Sequence, residues 1–277
     1  MTVGERFRWR GREVALFDLS DTLDNATSAF EPNAHHIAYT DHVRGKEVGA
    51  ELFASVLGMP RESTEKVFSR GHAWAVEEAT ISTHSGTHMD APYHYGPEAS
   101  GGSRPRTIDE VPLRWCFGDG VLLDMTAKDR VAGISREDVE AELRRIRYEL
   151  KPFDIVLIRT DASKFFNTAG YDRQHPGLQR SATAYLVERG VRTIGIDAWG
   201  LDRAFDVMAG DVLRGAENVE FWETHLYGLE HEYAQLEKLA NLDALPVTHG
   251  FTVMAFPYKI QGASAGWSRV VALVELG

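Results

Sequence analysis

Apolar runs bounded by turn residues recur along the second half of the chain. GDGVLLDM at 118–125 reads as a short buried strand entered through Gly-Asp-Gly, and FDIVLIRTD at 153–161 as a stronger one, aliphatic and β-branched. VRTIGID at 191–197, FTVMAFP at 251–257 and SRVVALVEL at 268–276 supply three more. Two helical stretches stand between them. Ser135, with Asp138 three residues on, opens SREDVEAELRRIRYEL, where Val139, Leu143, Ile146 and Leu150 form one apolar stripe. SATAYLVERG at 181–190 ends at Gly190, the residue expected just past a helix C-terminus. Strands alternating with helices predict an α/β architecture.

The first eighty residues read differently. Residues 31–80 carry Pro32, Gly45, Gly58, Pro60 and Gly71 among short amphipathic pieces such as GKEVGAELFASVLGM. We read this stretch as an arm or helical excursion on the core of a single domain spanning 1–277. GPEASGGSRPRT at 96–107 is the one loop rich in Gly, Ser and Pro, either a mobile lid or a plain surface loop.

Composition narrows the function. Lys plus Arg number 30 against 41 Asp plus Glu, a net charge of −11, so no basic stripe offers itself to nucleic acid or an anionic membrane. No apolar run reaches the roughly 18–20 residues of a membrane span. The N-terminus lacks a signal-peptide pattern, and the single Cys116 permits no intrachain disulfide, so a cytoplasmic protein acting on a small molecule is expected. Cys116, set in WCFGDG, reads as a buried apolar thiol rather than a nucleophile.

The candidate chemistry lies in one short stretch. His84, His88, Asp90 and His94 crowd into eleven positions, HSGTHMDAPYH. Imidazole and carboxylate suit Zn²⁺, Mn²⁺ or Fe²⁺. Gly86, Thr87 and Pro92 argue against a helix here. On a straight strand all four side chains share a face, but His84 and His88 would stand about 13 Å apart at roughly 3.3 Å per residue. Ligand bonds of about 2.1 Å cannot bridge that gap. The chain must bend between them, and Gly86 is the residue able to absorb the bend. The stretch is therefore expected to be a kinked strand or loop.

The same eleven residues match H-x-G-T-H-x-D-x-P-x-H, and in this the chain resembles the metal-dependent cyclase family. That family includes kynurenine formamidases, isatin hydrolases and ring cyclases of aromatic polyketide pathways. DLSDTL near residue 18, IGIDAWGLD at 194–202, His225 placed twelve residues before Glu237, and GASAGWSRVVALV near the C-terminus extend the likeness. It implies a swivelling β/β/α fold with a mixed central sheet and flanking helices, assembled as a homodimer or homotetramer, with one or two Zn²⁺ or Mn²⁺ ions per chain. His84, His88 and Asp90 would be metal ligands, His225 and Glu237 would complete a second ion or the outer part of the site, and His94 would be the catalytic acid or base. For Glu237 the pattern alone is silent, because YAQLEKLAN fits helix or strand.

Two reactions fit such a site. A bound ion can polarise a carbonyl while His94 moves a proton, either to close a ring on a carbonyl-rich polyketide-type substrate or to hydrolyse an amide, lactam or ester. The likeness of several segments favours the cyclase, with the hydrolase as the alternative. Trp199, Trp222 and Trp267 adjoin the motif segments and could wall a planar substrate. Structural roles are the default for Asp197, Asp202 and His175. His35, His36, His42, His72, His231 and His249 are not taken as ligands.

Overall fold

Val121 and Leu123 face one side of a strand and Leu122 the other, and all three are buried. The same holds for Val156 and Ile158 against Ile155 and Leu157 in the next run. A sheet covered on both faces produces such unbroken apolar stretches. The protein is seen here in a computed structural model that describes residues 4–26, 35–216 and 219–276. In chain order its strands are β1 (Gly4–Trp9), β2 (Arg12–Asp18), β3 (His36–Thr40), β4 (Val76–Thr80), β5 (His88–Asp90), β6 (Phe117–Asp124), β7 (Ile155–Arg159), β8 (Thr193–Ile196), β9 (Ala234–Glu237), β10 (His249–Met254), β11 (Ala265–Trp267) and β12 (Val271–Glu275). The helices are α1 (His42–Leu57), α2 (Ser63–Val67), α3 (Arg136–Ile146), α4 (Arg180–Glu188), α5 (Phe205–Leu213) and α6 (Glu223–Glu230).

The chain divides into two compact units, Met1–Leu23 with Thr83–Gly277, and Asp24–Ser82. In the first, ten strands join in the order β1-β2-β12-β10-β6-β7-β8-β9-β5-β11. The centre, β6 to β9, is parallel, and the flanking pairs are antiparallel. One face packs against Val139 and Leu143 of α3 and Ala182 and Leu186 of α4. The other curls inward, so that Met89 of β5 and Leu236 of β9 meet Phe251 and Val253 of β10 in one cluster. A bridge between Ser20 and Leu239 ties the two ends of this curl.

The expected helices are present with one correction. α3 opens on the Ser135–Asp138 capping box. It ends at Ile146, a turn earlier than the apolar stripe suggests. Arg147 turns left-handed at φ +56°, and Tyr148 N–H bonds back to Leu143 O. Leu150 therefore packs on the core from outside the helix.

The second unit holds most of the stretch read as an excursion; residues 31–34, with Pro32, lie outside those described. β3 and β4 pair as an antiparallel ribbon. α1 is capped by Asp41, whose carboxylate accepts from Val43 N and Arg44 N. Gly45 does not break this helix. A Cβ there would lie 1.8 Å from the carbonyl oxygen of Trp74, so the glycine admits close approach of the chain. Trp74 packs with Phe53 and Phe68 as a small aromatic core.

The 96–107 loop has no helix or strand and is pinned down. Ser100 N donates to Leu229 O, Arg106 N donates to Glu232 Oε1, and the Arg106 guanidinium pairs with the same carboxylate. It is a fastened surface loop. Among the described residues no helix is long and apolar enough to cross a membrane.

Candidate metal centre

β5 is three residues long, and alternation decides what it offers. Met89 enters the core, while His88 and Asp90 share the opposite face. The register sets Glu237 opposite His88 and Gln235 opposite Asp90 on β9, and Trp267 opposite His88 on β11. His84 comes from the preceding turn. Gly86 adopts φ +64°, and this bend brings His84 Nδ1 to 2.9 Å from Asp90 Oδ1, as the spacing argument requires. His88 Nε2 lies 3.2 Å from the same oxygen and 3.6 Å from Glu237 Oε2. His94, at the end of a single 3₁₀ turn, Pro92–His94, points Nε2 at Asp90 Oδ2 from 4.0 Å.

Two groups of donors result. His84, His88 and Asp90 form one; Asp90, His94 and His225 form the other, with donor atoms within 4.8 Å of one another in each. Asp90 is common to both. Glu237 stands beside His88 rather than with His225, and its Oε1 accepts from Leu201 N.

Three of the imidazoles are oriented from behind. His88 Nδ1 bonds to Gly86 O at 2.8 Å, His84 Nε2 to Ser264 Oγ at 2.9 Å, and His225 Nδ1 to Asp202 Oδ2. Assigned from these bonds, each neutral ring turns its other nitrogen, a lone pair, towards the centre. His88 Nε2 and both Asp90 oxygens are fully buried with no hydrogen-bond partner among the described residues. Buried acceptors converging without a proton among them are costly unless a cation lies between them. Two imidazole nitrogens and a carboxylate fit a divalent ion such as Zn²⁺ or Mn²⁺.

Burial would raise Asp90, but the imidazoles of His88, His94 and His84 outweigh it and hold the carboxyl well below the usual range. Burial, then the nearby Asp90 charge, pushes Glu237 up. Burial lowers His94 to about 4, assisted by His84, His225 and His88 and opposed by Asp90. No hydrogen bond among the described residues fixes the His94 ring, whose side chain is 23% exposed.

Of the tryptophans, Trp222 reaches the site. It is left-handed at φ +68°, stacks on His225 at 4.3 Å and 12°, and meets His94 edge-on at 5.2 Å. Trp199 packs edge-on against Phe205, with a buried Nε1 that has no partner. Trp267 is a cross-strand neighbour of His88. Cys116 is buried and pushed up to about 11 by that burial, which leaves it inert.

Sequence reasoning missed three residues at the site. Asp202, given a structural role by default, holds His225. Lys238 had no signal at all. Ser264 lies in GASAG at 262–266; reading the sequence as free of any G-x-S-x-G elbow overlooked this stretch, which has that spacing. Its context is a turn leading into β11, not the strand–turn–helix of a nucleophile elbow.

The sequence profile of the family described as "Putative cyclase" matches residues 17–203. Kynurenine formamidase of Maricaulis maris (strain MCS10) is 29% identical over 196 residues, 71% of this chain and 79% of that protein. Kynurenine formamidase of Bacillus thuringiensis (strain Al Hakam) is 24% identical over 143 residues, 49% of this chain. The chain spans about 60% of the length of that curated relative. Isatin hydrolase A from Labrenzia aggregata, solved with benzyl benzoate, superposes with a TM-score of 0.69 at 25% identity, covering 95% of this chain and 94% of that one.

Proposed function

The chain belongs to the cyclase family, and from that membership and its donor cluster we propose that it is a divalent-metal-dependent hydrolase of an amide, lactam or ester carbonyl on a small planar substrate. Asp90 carries the reading: a carboxylate with no solvent exposure, no hydrogen-bond partner among the described residues, and two imidazole nitrogens within 3.2 Å of one of its oxygens. The likeness of segments to ring cyclases points to closure of a polyketide-type substrate. The named relatives, a formamidase and an isatin hydrolase, favour hydrolysis instead.

His84, His88 and Asp90 would hold the ion, with Glu237 beside them, and Asp90 with His225 would hold any second one. When bound, such an ion polarises the carbonyl and brings the pKa of a water down to about 7. His94 moves the proton. Its ring is partly exposed and fixed by no hydrogen bond, and burial keeps it neutral, so it can take a proton from water and return it to the leaving nitrogen or oxygen. Trp222 gives His94 an aromatic wall along which a flat substrate can slide.

The metal-supplemented protein should hydrolyse N-formylkynurenine or isatin, with loss of activity in EDTA and recovery on adding Zn²⁺ or Mn²⁺. Ring closure of a poly-β-ketone-derived aromatic, with neither of those substrates hydrolysed, would return the account to the cyclase.

A second reading has one observation behind it. Ser264 Oγ, His84 Nε2, His84 Nδ1 and Asp90 Oδ1 stand in the order of a Ser-His-Asp triad, each gap 2.9 Å. In that case Ser264→Ala abolishes turnover, by on the order of 10⁶-fold. In the metal reading Ser264 only steadies His84, and the loss stays within about 100-fold.

A further inference from the structure

Lys238 stands where the backbone favours glycine. Its φ is +56°, a conformation that costs an L residue about 1 kcal/mol, and the residue is only 3% exposed. Burying an ammonium adds a further penalty unless it is well bonded. β9 has already ended at Glu237, so continuing the strand does not explain either feature. The bonds of Lys238 lead into the site. Nζ donates to the carbonyl of His84 at 2.9 Å, the backbone carbonyl accepts from Thr87 Oγ1 at 2.6 Å, and the backbone N–H donates to Ala198 O at 2.9 Å. The ammonium also lies 5.5 Å from the centre of the Trp199 ring.

We propose that Lys238 is a positioning residue of the cation site, a strut that fixes the 84–87 turn and so holds the His84 imidazole against Asp90. Gly86 lets the turn bend, Ser264 orients the ring from outside, and Lys238 anchors the carbonyl of the same residue. The inference rests on reading His84, His88 and Asp90 as a cation site.

A purely electrostatic role makes the opposite prediction. Removing a positive charge beside a cation site strengthens cation binding, whereas removing a strut weakens it. The test is titration of the full, metal-stripped chain with Zn²⁺ against a chromogenic chelator, and with Co²⁺ followed by its visible spectrum. Lys238→Met and Lys238→Gly are expected to weaken Zn²⁺ binding about 10–100-fold. Their Co²⁺ spectra should move towards that of His84→Ala. In the His84→Ala background, Lys238→Met should cost little more, because both changes remove the same ligand. Zn²⁺ binding in Lys238→Met as tight as in wild type, or an undiminished loss in the His84→Ala background, overturns the inference. If Lys238→Met fails to fold, Lys238→Gly, which relieves the left-handed strain, carries the same comparison. A wild type that takes up no Zn²⁺ overturns instead the cation reading beneath it.

Discussion

Asp202 holds His225 by its Nδ1. The carboxylate is buried and comes from the loop after β8, twenty-three positions before its partner, and the same group accepts from Thr224 N at 2.9 Å and Thr224 Oγ1 at 2.6 Å. One side chain thus caps the first turn of α6 and sets the ring carried on that turn. Trp222, at the N-cap position, stacks on the face of the same imidazole. His225 is confined in direction and in rotation.

Asp202→Asn should therefore act twice. Weakening the hydrogen bonds that His225 and Thr224 make to a charged acceptor costs about 2 kcal/mol of folding stability, read by denaturant unfolding. Uptake of any second ion should weaken about 10–100-fold, while the first ion stays on His84, His88 and Asp90. Unchanged uptake of the second ion would confine Asp202 to capping the helix.

His94→Gln should separate chemistry from binding. Turnover is expected to fall at least about 100-fold, with the ion at His84, His88 and Asp90 still bound. Kinetics alongside elemental analysis check both halves. Loss of that ion together with activity would make His94 a ligand rather than a proton carrier.

Gly86→Ala tests the bend. A Cβ at φ +64° is strained by about 1 kcal/mol, and this one would also press on Leu23 Cδ1 at 3.3 Å. Thermal unfolding should shift modestly while Zn²⁺ affinity drops severalfold, since the bend is what delivers His84. A loss of stability without loss of affinity would separate the two.

Much of this was legible beforehand. β6, β7 and β8 announce themselves because a sheet covered on both faces calls for unbroken apolar runs, such as VLL in β6 and IVLI in β7. The bend at Gly86 follows from ligand distance alone. β9 was ambiguous for a physical reason: AQLE puts Gln235 and Glu237 on the site face and Leu236 in the core, a pattern too short to distinguish period two from 3.6. The role of Asp202 could not be read because its partner His225 lies twenty-three positions along the chain. Lys238 was invisible because nothing about a lysine announces a positive φ. α3 was read one turn too long because the apolar stripe continues to Leu150 after the backbone has turned left-handed at Arg147.

Stability should depend on His175 in a definite direction. Burial lowers its pKa to about 4, from an ordinary 6.5. Between those values the unfolded chain binds more protons than the folded one, so the neutral ring's contribution is full above pH 6.5 and is lost as the pH falls towards 4. The stability advantage of wild type over His175→Gln should shrink by about 2 kcal/mol between pH 7 and 5. Asp197, raised by burial to about 6, acts in the opposite sense: its folded form binds the extra proton, and stability rises as the pH falls through that value. An advantage independent of pH in denaturant unfolding would mean that His175 takes up protons in the folded chain as readily as in the unfolded one.

The central claim is that the buried acceptors around Asp90 enclose a divalent cation. It is tested most directly by counting metal per chain, by elemental mass spectrometry, in wild type and His88→Ala purified without added metal. The account predicts one or two equivalents of Zn or Mn in wild type and loss of the ion from His84, His88 and Asp90 in the variant. A wild type without metal that also takes none up on reconstitution, or a His88→Ala protein that keeps the full complement, would contradict it.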